Sequence, residues 1–301
     1  MLSGNRLKGA IYILASTLVY AFQSVIARKV LISGISPIVL TGIKLVSGLA
    51  ALGLMIILLK KKISFHKKDW KKWLIFGLFG GTFFAFFLSA SYSMNGASQG
   101  VILLYTAPAF TILLASFYLK EKITPLKLGA LALVIIGTIL VSLGSLSGEL
   151  KFTGLGLFFG LASGFSYGVF NVLGKKLSND YNSWSINFFM VLIAVISILP
   201  VLPFFDWGYL LGEKLNFTLM ICVYGFLIYG IGNFLFMKGM EHLEAGTVSV
   251  LANTEPLLAV LLAALILQER LMPLQIGGFI FIIIGIFMIS IGKTGYQELS
   301  G

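Results

Sequence analysis

A chain of 301 residues that is 58% hydrophobic and only 11% charged cannot cover the surface of a water-soluble domain, which ordinarily carries about a quarter charged residues. Its net charge of +11 does not point to nucleic acid. The densest basic block (Lys60, Lys61, Lys62, Lys67, Lys68, Lys71 and Lys72) lies between two apolar runs, with no DNA- or RNA-binding motif beside it.

That block reads instead as a topology signal in contact with anionic lipid headgroups. Mean hydropathy is +1.00, and apolar runs long enough to cross a hydrocarbon core of about 30 Å recur along the chain. The first run follows Arg6 and Lys8, is too long for a signal-peptide core and lacks a small-x-small cleavage site, so it reads as an uncleaved span. Ten spans are predicted in all, at 9–27, 37–59, 73–93, 99–119, 126–144, 154–173, 184–203, 217–237, 246–267 and 274–292. Thr124-Pro125 supplies a cap and an N1 proline before the fifth. Trp70, Trp73, Trp184 and Trp207 fall near span ends, where indole rings favour the headgroup layer. The one cysteine, Cys222, excludes an intrachain disulfide and a thiolate metal cluster.

Lys and Arg divide unevenly between alternate connections. The set that includes both termini holds 16 and the other set 5, with Lys44 inside the second span. Positive residues stay cytoplasmic, so both termini are expected inside the cell (inner or plasma) membrane.

The chain also repeats itself. A shift of 148 residues places Thr106-Ala107-Pro108 on Thr254-Glu255-Pro256, Glu121 on Glu269, Pro125 on Pro273, Gly129 on Gly277 and Gly137 on Gly285. Over 106–137 this gives 13 identities in 32 ungapped positions. A shift of 147 places Gly9 on Gly156, Ala15-Ser16 on Ala162-Ser163, Tyr20 on Tyr167 and Lys29 on Lys176. The expected fold is therefore an all-α integral membrane protein of ten transmembrane helices, built as two five-helix repeats over 1–148 and 149–301. An odd number of spans per copy makes the second copy inverted, the architecture with which secondary transporters expose one midplane site to each side in turn.

The paired segments 97–141 and 245–289, each a Pro-containing helix ending in Glu (Leu119-Lys120-Glu121 and Leu267-Gln268-Glu269) followed by a Pro-started, Gly-rich helix, resemble the EamA family of the drug/metabolite transporter superfamily. The resemblance covers essentially the whole chain. It implies transport of amino acids, metabolites or toxic compounds, mostly outward, without naming a cargo. Lys44 stands where relatives often carry Arg.

Comparing the copies sorts the residues. Pro108 and Pro256 each remove an amide donor near mid-span, as a packing kink or as a hinge beside a cavity. Glu121 and Glu269 read as solvated loop charges that pair locally or with a neighbouring helix end. Gly77 and Gly81, four apart, suit close helix contact. Unpaired charges are more informative. Glu255 faces Ala107 in the other copy, and a carboxylate that deep costs on the order of 2.5–3.5 kcal/mol, so it should face protein or water. It is the first candidate for a proton-linked switch. Lys44 is opposite an apolar residue, Val191 or Leu192, and three roles stay open: pairing with Glu255, binding a substrate carboxylate, or snorkelling outward. Tyr20, Gln23, Tyr92, Tyr105, Tyr167, Asn171, Tyr229, Asn233 and Asn253 complete the cavity candidates, against a simpler role as inter-helix hydrogen-bonding residues.

The leading reading is a secondary transporter of a small organic solute, with membrane lipids and that solute as partners and no nucleic acid, cofactor or metal. A membrane-embedded enzyme lacks converging acids or histidines, since His66 and His242 lie at span borders and no HExxH occurs. A channel lacks a filter-like segment. No GxxxxGK[ST] motif is present, so the energy would come from a gradient. Oligomeric state is not legible in the sequence.

Overall fold

The computed structural model describes residues 4–32, 35–95, 97–144, 153–204, 215–267 and 271–291. Trp207, Glu269 and the side chain of Gln23 lie outside the described residues. Every regular element among those described is helical: α1 (Gly4–Ile32), α2 (Pro37–Leu58), α3 (Trp70–Gly77), α4 (Phe84–Asn95), α5 (Ala97–Leu104), α6 (Ala107–Tyr118), α7 (Pro125–Gly144), α8 (Gly154–Ser178), α9 (Ser183–Ile198), α10 (Leu215–Gly225), α11 (Asn233–Met240), α12 (Ala245–Ala252), α13 (Glu255–Leu267) and α14 (Pro273–Ile291), with short 3₁₀ turns at Lys67–Asp69 and Leu202–Phe204. Among the described residues, six stretches are long and apolar enough to cross a membrane. Their ends follow ordinary helix chemistry. Pro37, Pro125 and Pro273 open their helices, where a missing N–H costs nothing. Thr153 accepts from Gly156 N at 3.0 Å, Asn182 from Ser185 N at 2.9 Å and Thr124 from Lys127 N at 3.2 Å.

Four elements are not simple rods. A π-helical segment, Leu78–Phe83, joins α3 to α4, and a second, Phe226–Gly232, joins α10 to α11. The path from α5 to α6 breaks at residues 105–106, and that from α12 to α13 at 253–254. Element starts recur at one spacing: Leu78 and Phe226, Ala97 and Ala245, Ala107 and Glu255, and Pro125 and Pro273 are each 148 residues apart.

Glycines set the tightest helix contacts. A Cβ on Gly81 would overlap Ala194 Cβ of α9, and one on Gly77 would overlap Ile193, which explains the four-residue spacing in that span. On α7 and α14, Gly137, Gly278 and Gly285 let the two backbones meet, with Gly278 O only 2.6 Å from a Cβ built on Gly137.

The connections gather at two ends. At the basic end, Ser64 N donates to Ser185 Oγ (2.9 Å), Asn182 Nδ2 to Lys62 O (3.1 Å) and Tyr181 Oη to Asp69 Oδ2 (2.7 Å), while His66 Nδ1 meets Tyr181 Oη at 3.0 Å. Tyr12 of α1 stacks on His242 there. At the far end, Asn95 Oδ1 accepts from Thr153 N (3.0 Å) and Oγ1 (3.2 Å), and Ser91 Oγ donates to Gly156 O (3.1 Å).

Two expectations need correction at the basic end. Trp73 does not reach a headgroup layer: it is 1% exposed, packed among Phe65, Tyr181 and Phe189, because the basic connection folds back over it. Glu121 is not a solvated charge either. Its side chain is 7% exposed, and its two oxygens accept from Ala245 N (2.8 Å) and Gly246 N (3.2 Å), the first amides of α12. Lys127 Nζ stands 3.7 Å from Glu121 and 2.5 Å from Glu244. Burial pushes the Glu121 carboxyl above the usual carboxylate range, against the opposing pull of the Ala245 amide.

Candidate functional site

The two helix breaks share one local design. Thr106 N and Oγ1 both donate to Leu103 O (3.1 and 2.7 Å), and Thr254 N and Oγ1 both donate to Leu251 O (3.1 and 2.9 Å). Each proline then sits two residues on, in the first turn of the following helix, where an interior amide is not required. Pro108 and Pro256 therefore follow two-residue interruptions at which the backbone stays right-handed, Thr106 having φ −74 and ψ −12. The residues four positions before them, Leu104 and Ala252, both line a cavity.

That cavity takes in about 980 Å³ of non-atom space, open solvent at its mouth included. Of the residues singled out in the sequence, Tyr20, Lys44, Tyr92, Tyr105, Tyr167, Tyr229, Asn233, Asn253 and Glu255 line it. They come from α1, α2, α4, α8, the second π segment, α11, the two breaks and the first residue of α13, so both halves of the chain contribute. Asn171 is not among them. It is fully buried, donating from Nδ2 to Thr111 Oγ1 (3.1 Å) and Ser249 Oγ (3.3 Å), and so ties α8 to α6 and α12.

Lys44 is 6% exposed, with its ammonium 5.1 Å from the centre of the Tyr224 ring, a cation–π contact. Among the described residues it forms no ion pair, so of its three sequence-level roles pairing with Glu255 is not realised here. Glu255 opens α13 directly after the second break. Tyr20, Tyr92, Tyr105, Tyr167 and Tyr224 line the same cavity, so five phenols share it with this one carboxylate. The Tyr20 hydroxyl donates to Asn233 Oδ1 across the two halves, and Asn253 Nδ2 is buried without a partner.

Sequence reasoning missed Tyr224, Phe84 and Phe170. Phe84 stacks on Tyr167 (5.2 Å), Tyr167 on Phe170 (5.5 Å) and Phe170 on Phe76 (5.6 Å), forming the wall nearest the basic end. Tyr224 lies five residues before Tyr229, about 140° away on a regular α-helix. The π segment, with its i→i+5 bonding, brings the two onto one cavity face. Asn187 of α9 donates to Tyr229 O within that segment.

The cavity lies closer to one end of the bundle. On α4 its lining reaches Tyr92, three residues (about 4.5 Å) from the far end of the helix. Towards the basic end it stops at Asn233 and Tyr20, and Phe236, Met237, Met240 and Val248 beyond them are buried to 1% exposure or less. Among the described residues, no group of three or more His, Cys, Asp or Glu side chains is arranged to hold a metal ion.

A helical membrane protein with a polar, aromatic cavity between two halves has the form of a transporter. The profile of the EamA-like transporter family matches residues 7–143 and again 154–291, and the chain belongs to that family. An uncharacterized transporter of Clostridium kluyveri is 25% identical over 286 residues, covering 92% of this chain and 91% of its own. YoaV of Bacillus subtilis, also an uncharacterized transporter, is 26% identical over 92% of this chain and 94% of its own. A probable amino-acid metabolite efflux pump of Escherichia coli is 26% identical over 68% of this chain and 71% of its own. One crystal structure superposes with a TM-score of 0.76 over 96% of each chain at 18% identity, a likeness of fold. The family and these relatives are transporters, not enzymes.

Proposed function

We propose that the protein is a secondary transporter that exports a small organic solute, such as an amino acid or amphipathic metabolite, across the plasma membrane by alternating access. The observation that carries this reading is the cavity itself: a carboxylate and an ammonium, not paired with each other, share one aromatic chamber that approaches the far end and is sealed from the basic end. The two poles and the phenols between them suit a solute with polar ends and an apolar body better than a bare ion.

Ten spans in two inverted repeats, 1–148 and 149–301, fit the constant 148-residue spacing of breaks and π segments and the double match to one family profile. With the basic end cytoplasmic, both termini lie inside and the chamber faces outward. The name of the Escherichia coli relative supports export of an amino-acid metabolite. Glu255 is the group through which a proton gradient would act.

Counterflow of labelled amino acids and amphipathic metabolites in proteoliposomes tests the reading, and no counterflow of any of them would refute it. Glu255→Gln should lose the pH dependence of transport; a variant with the parent's activity across pH would remove the proton link while leaving the transporter intact.

A further inference from the structure

Glu121 lies outside the cavity, yet its side chain is only 7% exposed. It belongs to the connection between α6 and α7, and both its acceptor bonds cross to the second half, onto the first two amides of α12. A carboxylate at a helix N-terminus answers both the unpaired N–H groups and the helix dipole. Lys127, from the first turn of α7, bridges Glu121 to Glu244, the residue just before α12. The result is a clasp of one cation between two anions, each with a side chain under 10% exposed.

α12 is the rod to which the clasp is fixed. It is eight residues long, about 12 Å, and ends at the break that presents Asn253 and Glu255 to the cavity. One end of this half-helix is therefore pinned at the closed end of the molecule, and the other carries the candidate site. The packed plug of Phe236, Met237, Met240 and Val248 lies between cavity and clasp. Opening a path to the basic end requires α12 to part from the first half, and the Glu121 bonds, beside the Lys127–Glu244 pair, are polar ties that resist it.

We propose that Glu121 is a positioning residue of the transport cycle: its grip on the N-terminus of α12 holds the basic end shut and sets the half-helix that carries Asn253 and Glu255. The role deepens the alternating-access reading, but its test does not depend on finding the cargo, because thiol accessibility reports closure whether or not a solute moves.

The experiment uses the full chain with Cys222→Ser as background and Met237→Cys as reporter, in inside-out vesicles treated with a membrane-impermeant maleimide. Glu121→Gln removes the charge. Ala245→Pro removes the donor and sets a ring carbon against the Glu121 carboxylate, so it breaks the cap without changing the charge; the backbone accepts it, since Ala245 is the first residue of α12 and Glu244 before it already has φ −70 and ψ 150. Each variant should label about tenfold faster than the parent, the shift expected from losing one charge-assisted hydrogen bond, while the exposed neighbour Lys122→Gln should not change the rate. If Glu121→Gln does not fold, Ala245→Pro carries the test alone. Labelling of folded Ala245→Pro within twofold of the parent would overturn the proposal, even if Glu121→Gln labels faster, because the effect would then belong to the charge and not to the cap. Faster labelling with no counterflow of any solute would keep the clasp and refute the exporter, and unchanged labelling with normal counterflow would do the reverse.

Discussion

The two broken helices are nearly the same object in backbone and different objects in chemistry. At each break a threonine turns its amide and its hydroxyl onto the carbonyl three residues earlier, and a proline follows two residues later. Between threonine and proline the first break has Ala107, 1% exposed, with Gly164 of α8 close enough that a Cβ there would lie 3.4 Å from the Ala107 amide. The second has Glu255, which faces the cavity. Both breaks therefore send the residue before the threonine, Tyr105 or Asn253, into the cavity lining, and the middle residue decides whether a carboxylate joins it. Thr254 adds one further difference, a hydroxyl contact to Thr17 of α1 at 3.1 Å that has no equivalent at Thr106.

Placing the carboxylate at the wrong break should give the largest effect. Ala107→Glu would bury a charge against α8 with no cavity to receive it, costing on the order of 3 kcal/mol. Its melting midpoint in detergent should fall well below the parent's, and it should not restore transport to Glu255→Ala. A normal midpoint would mean that position 107 also opens onto water. Lys44→Met should have a smaller, two-sided effect. It removes a buried cation that lacks a carboxylate partner, so stability should rise by about 1 kcal/mol or more. Binding of solutes that carry an anionic group should weaken by roughly tenfold, the value of one charged hydrogen bond. Thermal-shift titration reads both, and a loss of stability in Lys44→Met would show that the ammonium serves packing.

The six membrane-length helices found among the described residues were legible because a membrane helix must be apolar along its whole length and must satisfy its backbone internally. Lys44 and Glu255 were legible because comparing the copies exposes charges that only one of them carries. At Glu121 the reading was half right, since the carboxylate does meet a neighbouring helix end but is buried and not solvated. A residue present in both copies reads as scaffold, and nothing in the sequence shows that its carboxylate crosses to α12, 124 residues later. Tyr224 was hidden for a different reason. The π segment changes the angular spacing along the helix, so a face counted at 3.6 residues per turn leaves it out. Trp73 followed a sound rule about indole rings at membrane borders, but the fold-back of residues 60–72 turned a border into an interior.

Exchanging the prolines gives the smallest effect and the finest test of the comparison. Pro108→Ala and Pro256→Ala each free the unfolded chain, at a cost of about 0.4–1 kcal/mol, and each restores an amide able to seek the carbonyl four residues back, worth about 1 kcal/mol. The two terms nearly cancel, so both variants should melt within about 1 kcal/mol of the parent. Transport should separate them. Reforming the helix at the first break moves Ala107, which is packed against α8, and shifts Tyr105, which lines the cavity without a charge, so counterflow should fall only modestly. Reforming it at the second rotates Glu255 away from the phenols that share its cavity, and counterflow should fall further. Equal losses in the two variants would mean that both breaks act as hinges and that the asymmetry of side chains is not where the chemistry lies.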